Sequence, residues 1–252
     1  MAIIESVTND VCKINFTDNK TATVNFIDGS FCPGKTMAVI ARGYKGIYSP
    51  DAPDQTEIDE LLKDVNSTKL QTPYEMTQFV FLLRGVSRAF THQLVRTRHA
   101  AYVQESMRFL GHKNVYEILV SSKTRKDNAS YQLYKGSCIV SISSYEQMIR
   151  SGLPSEDARG VLPTNILTSV FVGLPLSSLQ KMYTQRLCCQ AQEEWYHVVK
   201  KIKLSLVEEY GDEAHSWLSA PVERGEECGY HASFDRPCKW HGGIEKDDNS
   251  SM

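Results

Sequence analysis

The chain has 252 residues, a formal net charge of −2 and 23% charged residues. It is long enough for one large or two small domains, and it lacks the broad basic surface of nucleic-acid-binding proteins. No apolar stretch approaches the ~20 residues that cross a bilayer, and the N-terminus lacks the basic start and apolar core of a secretory signal. Seven cysteines, with Cys188 and Cys189 adjacent, argue against a disulfide framework. These features predict a cytosolic protein with reduced thiols and neither a nucleic-acid nor a membrane partner.

The first quarter of the chain predicts a hairpin followed by two helices. Residues 11–30 read as two short strands around a polar turn. Residues 35–44 favour a short helix. A further helix is expected over 56–65, where apolar residues recur at helical spacing, with Asp54 or Thr56 as its cap.

The middle of the chain predicts a buried strand, a helix and a basic loop. Residues 76–86 suit a buried strand, and Ser87 can cap the helix that follows. The segment RTRHAAYVQESMRF, residues 96–109, then places three arginines where that helix ends. Arginine pairs bidentately with phosphate, and a hydroxyl with backbone amides can complete an anion site. Because a helix C-terminus also attracts cations through its dipole, both a nucleotide site and a solvated helix end are compatible with this segment.

The second half predicts helices around one more strand. The expected elements are a helix over 127–151, a short helix from Pro154 through Arg159, a strand over 164–174, a helix from Pro175 through 187, and a long amphipathic helix from about Gln190 to Tyr210. Gly211 can end the last of these. The predicted fold class is α+β, with mixed helices around a small antiparallel sheet over residues 1–220. An irregular tail is expected over 221–252.

The tail contains a pattern that suits zinc. It has two Cys-x2-His pairs separated by six residues, Cys228 with His231 and Cys238 with His241. Such pairs can form a closed tetrahedral site. Aromatic residues in the same segment can instead pack the tail onto the body without metal. The prediction is no metal site, with zinc as the alternative.

Other polar side chains in the second half have simpler interpretations. Glu193 and Glu194 are expected on a solvated helix face, and Cys188 is expected to be a buried, inert thiol. His92 is expected to be a packed or hydrogen-bonding neighbour of the basic segment rather than a base.

Three segments of the chain resemble the flavin-dependent thymidylate synthases, particularly phage-type members. That family's signature is Arg-His-Arg, seven residues and Ser, and Arg96-Thr97-Arg98 is followed by seven residues and Ser106. ARGVLPTN resembles its Ala-Arg-x-Val-Leu-Pro segment, and RLCCQAQEEW resembles its Arg-x4-Ala-Gln-x-Glu segment. The matches follow the family's order and cover roughly residues 70 to 200, so the hairpin and the tail lie outside them.

The resemblance implies the family's fold and a homotetramer in which several subunits build each site. It implies that FAD, reduced by NADPH, passes reducing power to a methylene from methylenetetrahydrofolate and turns dUMP into dTMP. The matching dUMP-side positions are Gln93, Arg96, Gln104, Ser106, Arg108, Arg159 and Arg186. Arg186 matches the arginine thought to favour ionisation of the uracil ring, which makes it the catalytic candidate. Gln104 stands where many members have Glu.

The flavin side of the resemblance is less complete. Its matching positions are Thr72, Arg96, Thr97, Arg98, Gln104 and Lys181. Thr97 and Leu70 stand where the family has histidines, and Pro175 and Ser177 replace the Asn and Arg of its Asn-x-Arg-Ser-Leu segment. Lys181 can partly compensate as a point charge.

Three interpretations of these departures remain open. The chain is a divergent thymidylate synthase, a paralogue that modifies a pyrimidine nucleotide differently, for example by hydroxymethylation, or a non-catalytic nucleotide-binding paralogue. The third is included because a fold does not fix a function.

Overall fold

The structure is a computed structural model that describes residues 4–8, 12–30, 33–48, 53–68, 72–108, 115–188 and 191–224. The chain divides into two compact units. Unit 1 comprises Met1–Ile27 and Val80–Gly173, and unit 2 comprises Asp28–Phe79 and Leu174–Met252. Each unit therefore combines two stretches that are distant in sequence. The predicted domain boundary at residue 220 stays a prediction.

The described residues form seven strands and ten α-helices in mixed order. The strands are β1 (Glu5–Thr8), β2 (Lys13–Thr17), β3 (Thr23–Gly29), β4 (Gln78–Ser87), β5 (Ala101–Gln104), β6 (Val115–Leu119) and β7 (Leu167–Pro175). The helices are α1 (Pro33–Tyr44), α2 (Gln55–Ser67), α3 (Thr72–Met76), α4 (Arg88–Leu94), α5 (Ser122–Lys126), α6 (Asn128–Arg150), α7 (Ser155–Ala158), α8 (Leu176–Arg186), α9 (Glu193–Tyr210) and α10 (Glu213–Trp217). The predicted α+β class is confirmed.

Several predicted elements form within a few residues of their expected bounds. The strand expected from residue 164 starts at Leu167, because the Ile166 amide closes a turn onto the Pro163 carbonyl at 3.1 Å. The helix expected from Pro154 through Arg159 ends at Ala158 and continues as a 3-10 turn over Arg159–Val161.

The pairing of the N-terminal strands differs from the predicted hairpin. β2 and β3 both form, but they enter different sheets, ordered β1-β2-β6 and β3-β4-β7-β5. β2 pairs in parallel with β6 and buries Ile14 and Phe16 completely, whereas Phe26 of β3 packs edge-on against Phe81 of β4 at 5.9 Å. The hairpin prediction is wrong because burial of β2 beside β6 contributes more than local turn closure.

The core of unit 1 lies between the first sheet and α6. Ile14, Tyr116, Ile142 and Tyr145 are each at most 1% exposed, and the two tyrosine rings meet edge-to-face at 6.2 Å. α6 is capped by Asp127, whose side chain accepts from the Ser130 amide at 3.2 Å. These contacts fix the sheet against a helix of 23 residues.

The second sheet presents one apolar patch to the surface. β5 pairs antiparallel with β7, and Val103 lies directly opposite Phe171. Val103 is 70% exposed and Phe171 is 42% exposed. Since side chains alternate along a strand, Tyr102 and Gln104 point to the other face of β5.

Unit 2 packs α8 and α9 around an aromatic core. Trp195, Val198 and Leu206 of α9 are fully buried. Phe79 contacts Tyr210 and Trp217 at ring distances of 6.0 and 6.1 Å. Glu194, predicted to be solvated, is instead 1% exposed and accepts from the Gln192 side-chain amide at 3.1 Å. This prediction is wrong because Glu194 lies on the face of α9 that carries Trp195 and Val198 inward.

Candidate functional site

The basic loop begins where α4 ends. Ser87 is fully buried and caps α4 by accepting the Phe90 amide at 3.0 Å. The helix continues as a turn in which the Arg96 amide donates to the Gln93 carbonyl at 3.2 Å. This cap and turn explain why Gln93 lies on the last turn of a helix and Arg96 lies just beyond it.

A tyrosine hydroxyl fixes the shape of the loop. Tyr102 Oη contacts the Leu94 carbonyl at 2.8 Å and the Thr97 carbonyl at 3.0 Å, so it closes the end of α4 against the following turn. Arg96 and Arg98 are exposed. His99 adopts a φ of 56°, in the left-handed region that non-glycine residues seldom occupy. Such strained residues concentrate at functional sites, which marks this loop. His92, expected to be a packed or hydrogen-bonding neighbour of the basic segment, is exposed.

Ser106, Arg108 and Arg159 converge at the end of β5. The Arg108 amide donates to Ser106 Oγ at 3.3 Å. Arg108 Nε lies 3.6 Å from the Glu156 carboxylate, and Arg159 Nε donates to the Glu156 backbone carbonyl at 3.2 Å. Contacts to Glu156 therefore bring the neighbours Ser106 and Arg108 together with Arg159 from a distant segment of unit 1.

Arg88 joins this group, although the sequence did not single it out. Its Nη2 donates to the Glu105 carbonyl at 2.6 Å, directly before Ser106. Burial lowers the pKa of the Arg88 guanidinium, the charge of Glu105 opposes this shift, and the positive charge of Arg159 lowers the pKa further. An arginine stays charged in proteins, so this site carries closely spaced cations. The sequence did contain one signal for Arg88, because this residue occupies the first position of a capped helix that follows a buried strand.

A small pocket adjoins these cations. It is lined by Arg88, Glu105, Ser106, Met107 and residues 166–168. Arg88 Nε and Thr168 Oγ1 are buried in it, and neither has a hydrogen-bond partner among the described residues. Buried donors without partners are costly, and clustered cations favour an anion. The chemistry of this group is therefore that of an anion site.

Gln104 lies in the sequence between the basic loop that follows α4 and Ser106. Ser106 forms, with Arg88, Arg108 and Arg159, the set of residues called the arginine group below. It is half-buried, and its Nε2 donates to Thr91 Oγ1 of α4 at 2.8 Å. The neighbouring strand residue on the same face is Tyr102, which holds the basic loop. β5 therefore places the amide of Gln104 beside α4, two residues before Ser106.

Arg186, Lys181 and Thr72 belong to unit 2. Arg186 ends α8, and its guanidinium carbon lies 4.6 Å from the ring centroid of Trp195. Burial lowers the pKa of Arg186. A cation over an indole face gains electrostatic stabilisation, and stacking restricts the guanidinium plane. Lys181 and Thr72 are exposed on α8 and at the start of α3.

The departures on the flavin side occupy different environments. Pro175 lies at the N-cap of α8 without a side-chain capping bond. Ser177 is 4% exposed and lies between the buried Leu176 and Leu179. Thr97 is half-buried in the basic loop. Leu70 lies outside the described residues.

The zinc alternative at Cys228, His231, Cys238 and His241 also falls outside the described residues. Among the residues that the structure describes, no group of three or more His, Cys, Asp or Glu side chains could hold a metal ion. Cys188, expected to be buried, is half-buried just after α8. Within the described part of the chain, no helix is both long enough and apolar enough to span a membrane.

The family model for "thymidylate synthase complementing protein" matches residues 32–210. A flavin-dependent thymidylate synthase of Saccharolobus solfataricus is 30% identical over 204 residues, which cover 79% of this chain and 74% of that protein. The corresponding enzyme of Pyrococcus furiosus is 38% identical over 131 residues, 51% of this chain. The match spans about half of the Pyrococcus protein, 54% of its length.

A solved structure shares the fold. It is a UMP/dUMP methylase, PolB, from Streptomyces cacaoi bound with 5-Br dUMP. Its TM-score is 0.64 at 18% identity, and the match covers 80% of this chain and 97% of that one. At this identity the similarity establishes the architecture alone.

Proposed function

Because the chain belongs to the flavin-dependent thymidylate synthase family, we propose that it catalyses the reductive methylation of dUMP to dTMP. The observation that carries the proposal is the convergence of Arg88, Arg108, Arg159 and Ser106 in unit 1. These residues form a cationic site whose chemistry suits the phosphate of a nucleotide.

The phosphate would be bound by the arginine group. The Arg108 side chain is 59% exposed and its partner Glu156 is 55% exposed. Exposed ion pairs contribute about 0–1 kcal/mol, so a phosphate can displace this carboxylate at little cost. The hydroxyl of Ser106 accepts from the Arg108 amide and keeps its own proton for a phosphate oxygen.

The uracil ring would be polarised by Arg186. A guanidinium can meet a carbonyl oxygen and a ring nitrogen together, and it stabilises negative charge that develops on the ring. The stack on the fully buried Trp195 holds this group in one plane before substrate binds. Arg186 therefore remains the catalytic candidate. Gln93, Arg96 and Gln104 of unit 1 are proposed as further contacts of the nucleotide.

The flavin would contact a reduced set of side chains. Arg98, Lys181 and Thr72 are exposed polar groups, which fits contacts with FAD. Arg96 and Thr97 lie in the same loop as Arg98, and Gln104 is the last residue of β5, the strand that follows this loop. Ser177 does not fit such a contact, because its side chain is buried beside Leu179. FAD reduced by NADPH supplies the reducing power that turns the methylene of methylenetetrahydrofolate into the methyl group of dTMP.

We also propose that the protein assembles as a homotetramer. The cross-strand pair Val103 and Phe171 exposes apolar surface on the second sheet, and apolar surface of this kind favours burial in an interface. Sedimentation at micromolar concentration is expected to show a mass well above the 28.5 kDa of one chain. A single species at that mass would contradict an assembly of several subunits.

A second candidate is modification of a pyrimidine nucleotide with a different product, such as a hydroxymethylated one. The loss of the signature histidine at Thr97 and the buried Ser177 favour it, since both alter the flavin side and leave the cationic site in place. A non-catalytic nucleotide-binding role is the third candidate function.

Mass analysis of the product separates these candidates. Purified protein is incubated with FAD, NADPH, methylenetetrahydrofolate and dUMP, and dTMP is the expected product. A nucleotide bearing another one-carbon group would replace the first proposal with the second. Bound dUMP that stays unchanged in the presence of tightly bound, reducible FAD would favour the non-catalytic role.

A further inference from the structure

The side-chain amide of Gln104 is held by the hydroxyl group of Thr91, whose own proton is donated to another acceptor. Thr91 is 1% exposed, and its Oγ1 donates to the Arg88 carbonyl of α4 at 3.1 Å. The same oxygen accepts from Nε2 of Gln104 at 2.8 Å. Among the described residues, Oε1 of Gln104 has no hydrogen-bond partner.

The hydroxyl of Thr91 determines which way the amide faces. Amide oxygen and nitrogen are distinguished by their hydrogen-bond networks. If the amide of Gln104 were reversed, Oε1 would face Thr91, and the hydroxyl could satisfy it only by releasing the Arg88 carbonyl. One of the two hydrogen bonds would then be lost. The observed orientation is favoured, and it leaves an acceptor rather than a donor on the open side of Gln104.

We propose that Thr91 is a positioning residue that sets Gln104 to accept a hydrogen bond from the nucleotide. This inference rests on the proposed function, because it takes the nucleotide to lie beside Gln104. The site would then select a ligand with a donor at this point. In dUMP the donor is either the ring N3–H or the 3′-hydroxyl of the sugar.

The expected change in ligand affinities follows from the one hydrogen bond that a reversed Gln104 amide would lose. One hydrogen bond corresponds to a preference of about fivefold between the two amide orientations. In the wild type about five-sixths of the molecules would present Oε1, whereas Thr91→Val makes both orientations equal. Binding in proportion to the competent fraction then gives dUMP a loss of less than about twofold. A ligand that needs a donor from the protein gains about threefold, so the ratio of the two affinities falls about fivefold.

Two analogues identify the group that donates. dCMP carries an acceptor at N3, and 3′-deoxy-3′-fluoro-dUMP has a fluorine that cannot donate. Calorimetric titration compares each analogue with dUMP in the wild type, Thr91→Val and Thr91→Ser. Serine keeps the hydroxyl and is expected to keep the wild-type ratio. A fall of about fivefold with dCMP assigns the ring N–H. Fluorine neither donates nor accepts appreciably, so a fall of less than about twofold that is confined to the fluoro analogue assigns the sugar hydroxyl.

The gain in affinity distinguishes positioning from packing. A purely structural role for Thr91 would weaken every ligand alike, and that result, or an unchanged ratio in both pairs, would overturn the inference. Wild-type protein that binds no dUMP would instead refute the proposed nucleotide site itself. The two failures are therefore separate observations.

Gln104→Glu provides a test that does not depend on how Thr91→Val folds. A carboxylate only accepts, so dCMP should lose at least about fivefold relative to dUMP if the ring N–H donates, and dUMP should gain relative to the fluoro analogue if the sugar hydroxyl donates. Both ligands of a pair carry the same phosphate, so the added charge cancels in the ratio. In the Glu background, Thr91→Val should no longer change that ratio. A ratio that Gln104→Glu leaves at its wild-type value in both pairs would overturn the inference.

Discussion

Replacing Arg108 with alanine tests the phosphate site. The side chain is 59% exposed and forms an ion pair with Glu156 at 3.6 Å, which contributes about 0–1 kcal/mol to folding. A charge-assisted hydrogen bond to phosphate contributes about 1.5–3 kcal/mol. Arg108→Ala should therefore weaken dUMP binding about 10- to 150-fold while the melting temperature changes little.

Two further variants control this experiment. Arg150 is an exposed arginine at the end of α6, and Arg150→Ala should leave dUMP affinity unchanged. Glu156→Gln removes the carboxylate that competes with the phosphate, so dUMP affinity should rise, by at most about fivefold. Calorimetry at fixed ionic strength measures all three. Equal dUMP affinity in the wild type and Arg108→Ala would refute the assignment of the phosphate to this group.

Three other predictions concern catalysis and stability. Arg186→Lys should lower kcat more than it raises KM, because lysine keeps the charge but loses the planar fork; a change in KM alone would contradict this. Gly85 has a φ of +66° and an added Cβ would lie 3.4 Å from the Thr21 carbonyl, so Gly85→Ala should destabilise by about 1–2 kcal/mol. An added Cβ at Gly136 on α6 would meet open space, so Gly136→Ala should instead raise the free energy of unfolding by up to about 1 kcal/mol. Thermal unfolding of the two glycine variants tests both expectations. Glu223→Gln should lower the melting temperature at neutral pH, with a deficit that shrinks as the pH falls below about 4.

The pH dependence follows from the contacts of Glu223. Burial alone raises the pKa of this carboxyl group, but hydrogen bonds from the Ala220 amide at 2.9 Å, Tyr183 at 2.8 Å and Lys203 at 3.1 Å outweigh it and leave the pKa below its ordinary value. A lowered carboxyl pKa stabilises the fold above the unfolded pKa and loses that contribution as the pH falls through the folded pKa. If the melting-temperature deficit of Glu223→Gln persisted unchanged in acid, the substitution would have disrupted packing and not a charge interaction.

Local signals in the sequence predicted several boundaries correctly. Asp54 accepts the Glu57 amide at 2.9 Å and begins α2, and Ser87 caps α4 as its position before an amphipathic run indicated. Gly211 ends α9 with a φ of 73°. Each of these depends on contacts within four residues, which a sequence pattern contains.

Pairing and burial between distant segments were not predictable in the same way. The turn after β2 indicated a hairpin with the next strand, yet β2 pairs with β1 before it and with β6 about 100 residues later. Glu194 reads as a solvated residue, and only the packing of α9 shows that it is buried. Arg88 was not singled out by the sequence, because nothing local shows that its guanidinium meets the Glu105 carbonyl.

The same distinction separates the departures on the flavin side, which the sequence alone treats as equivalent. Thr97 lies in a loop held through its backbone carbonyl by Tyr102, so its side chain can change without altering the path of the loop. Ser177 is 4% exposed beside Leu176 and Leu179, so an arginine there would require the start of α8 to repack. The first departure is a local loss of one side chain, whereas the second is built into the packing of unit 2. The phosphate-binding residues Ser106, Arg108 and Arg159 depend on neither departure, because they follow β5 and α7 and are held together by contacts to Glu156.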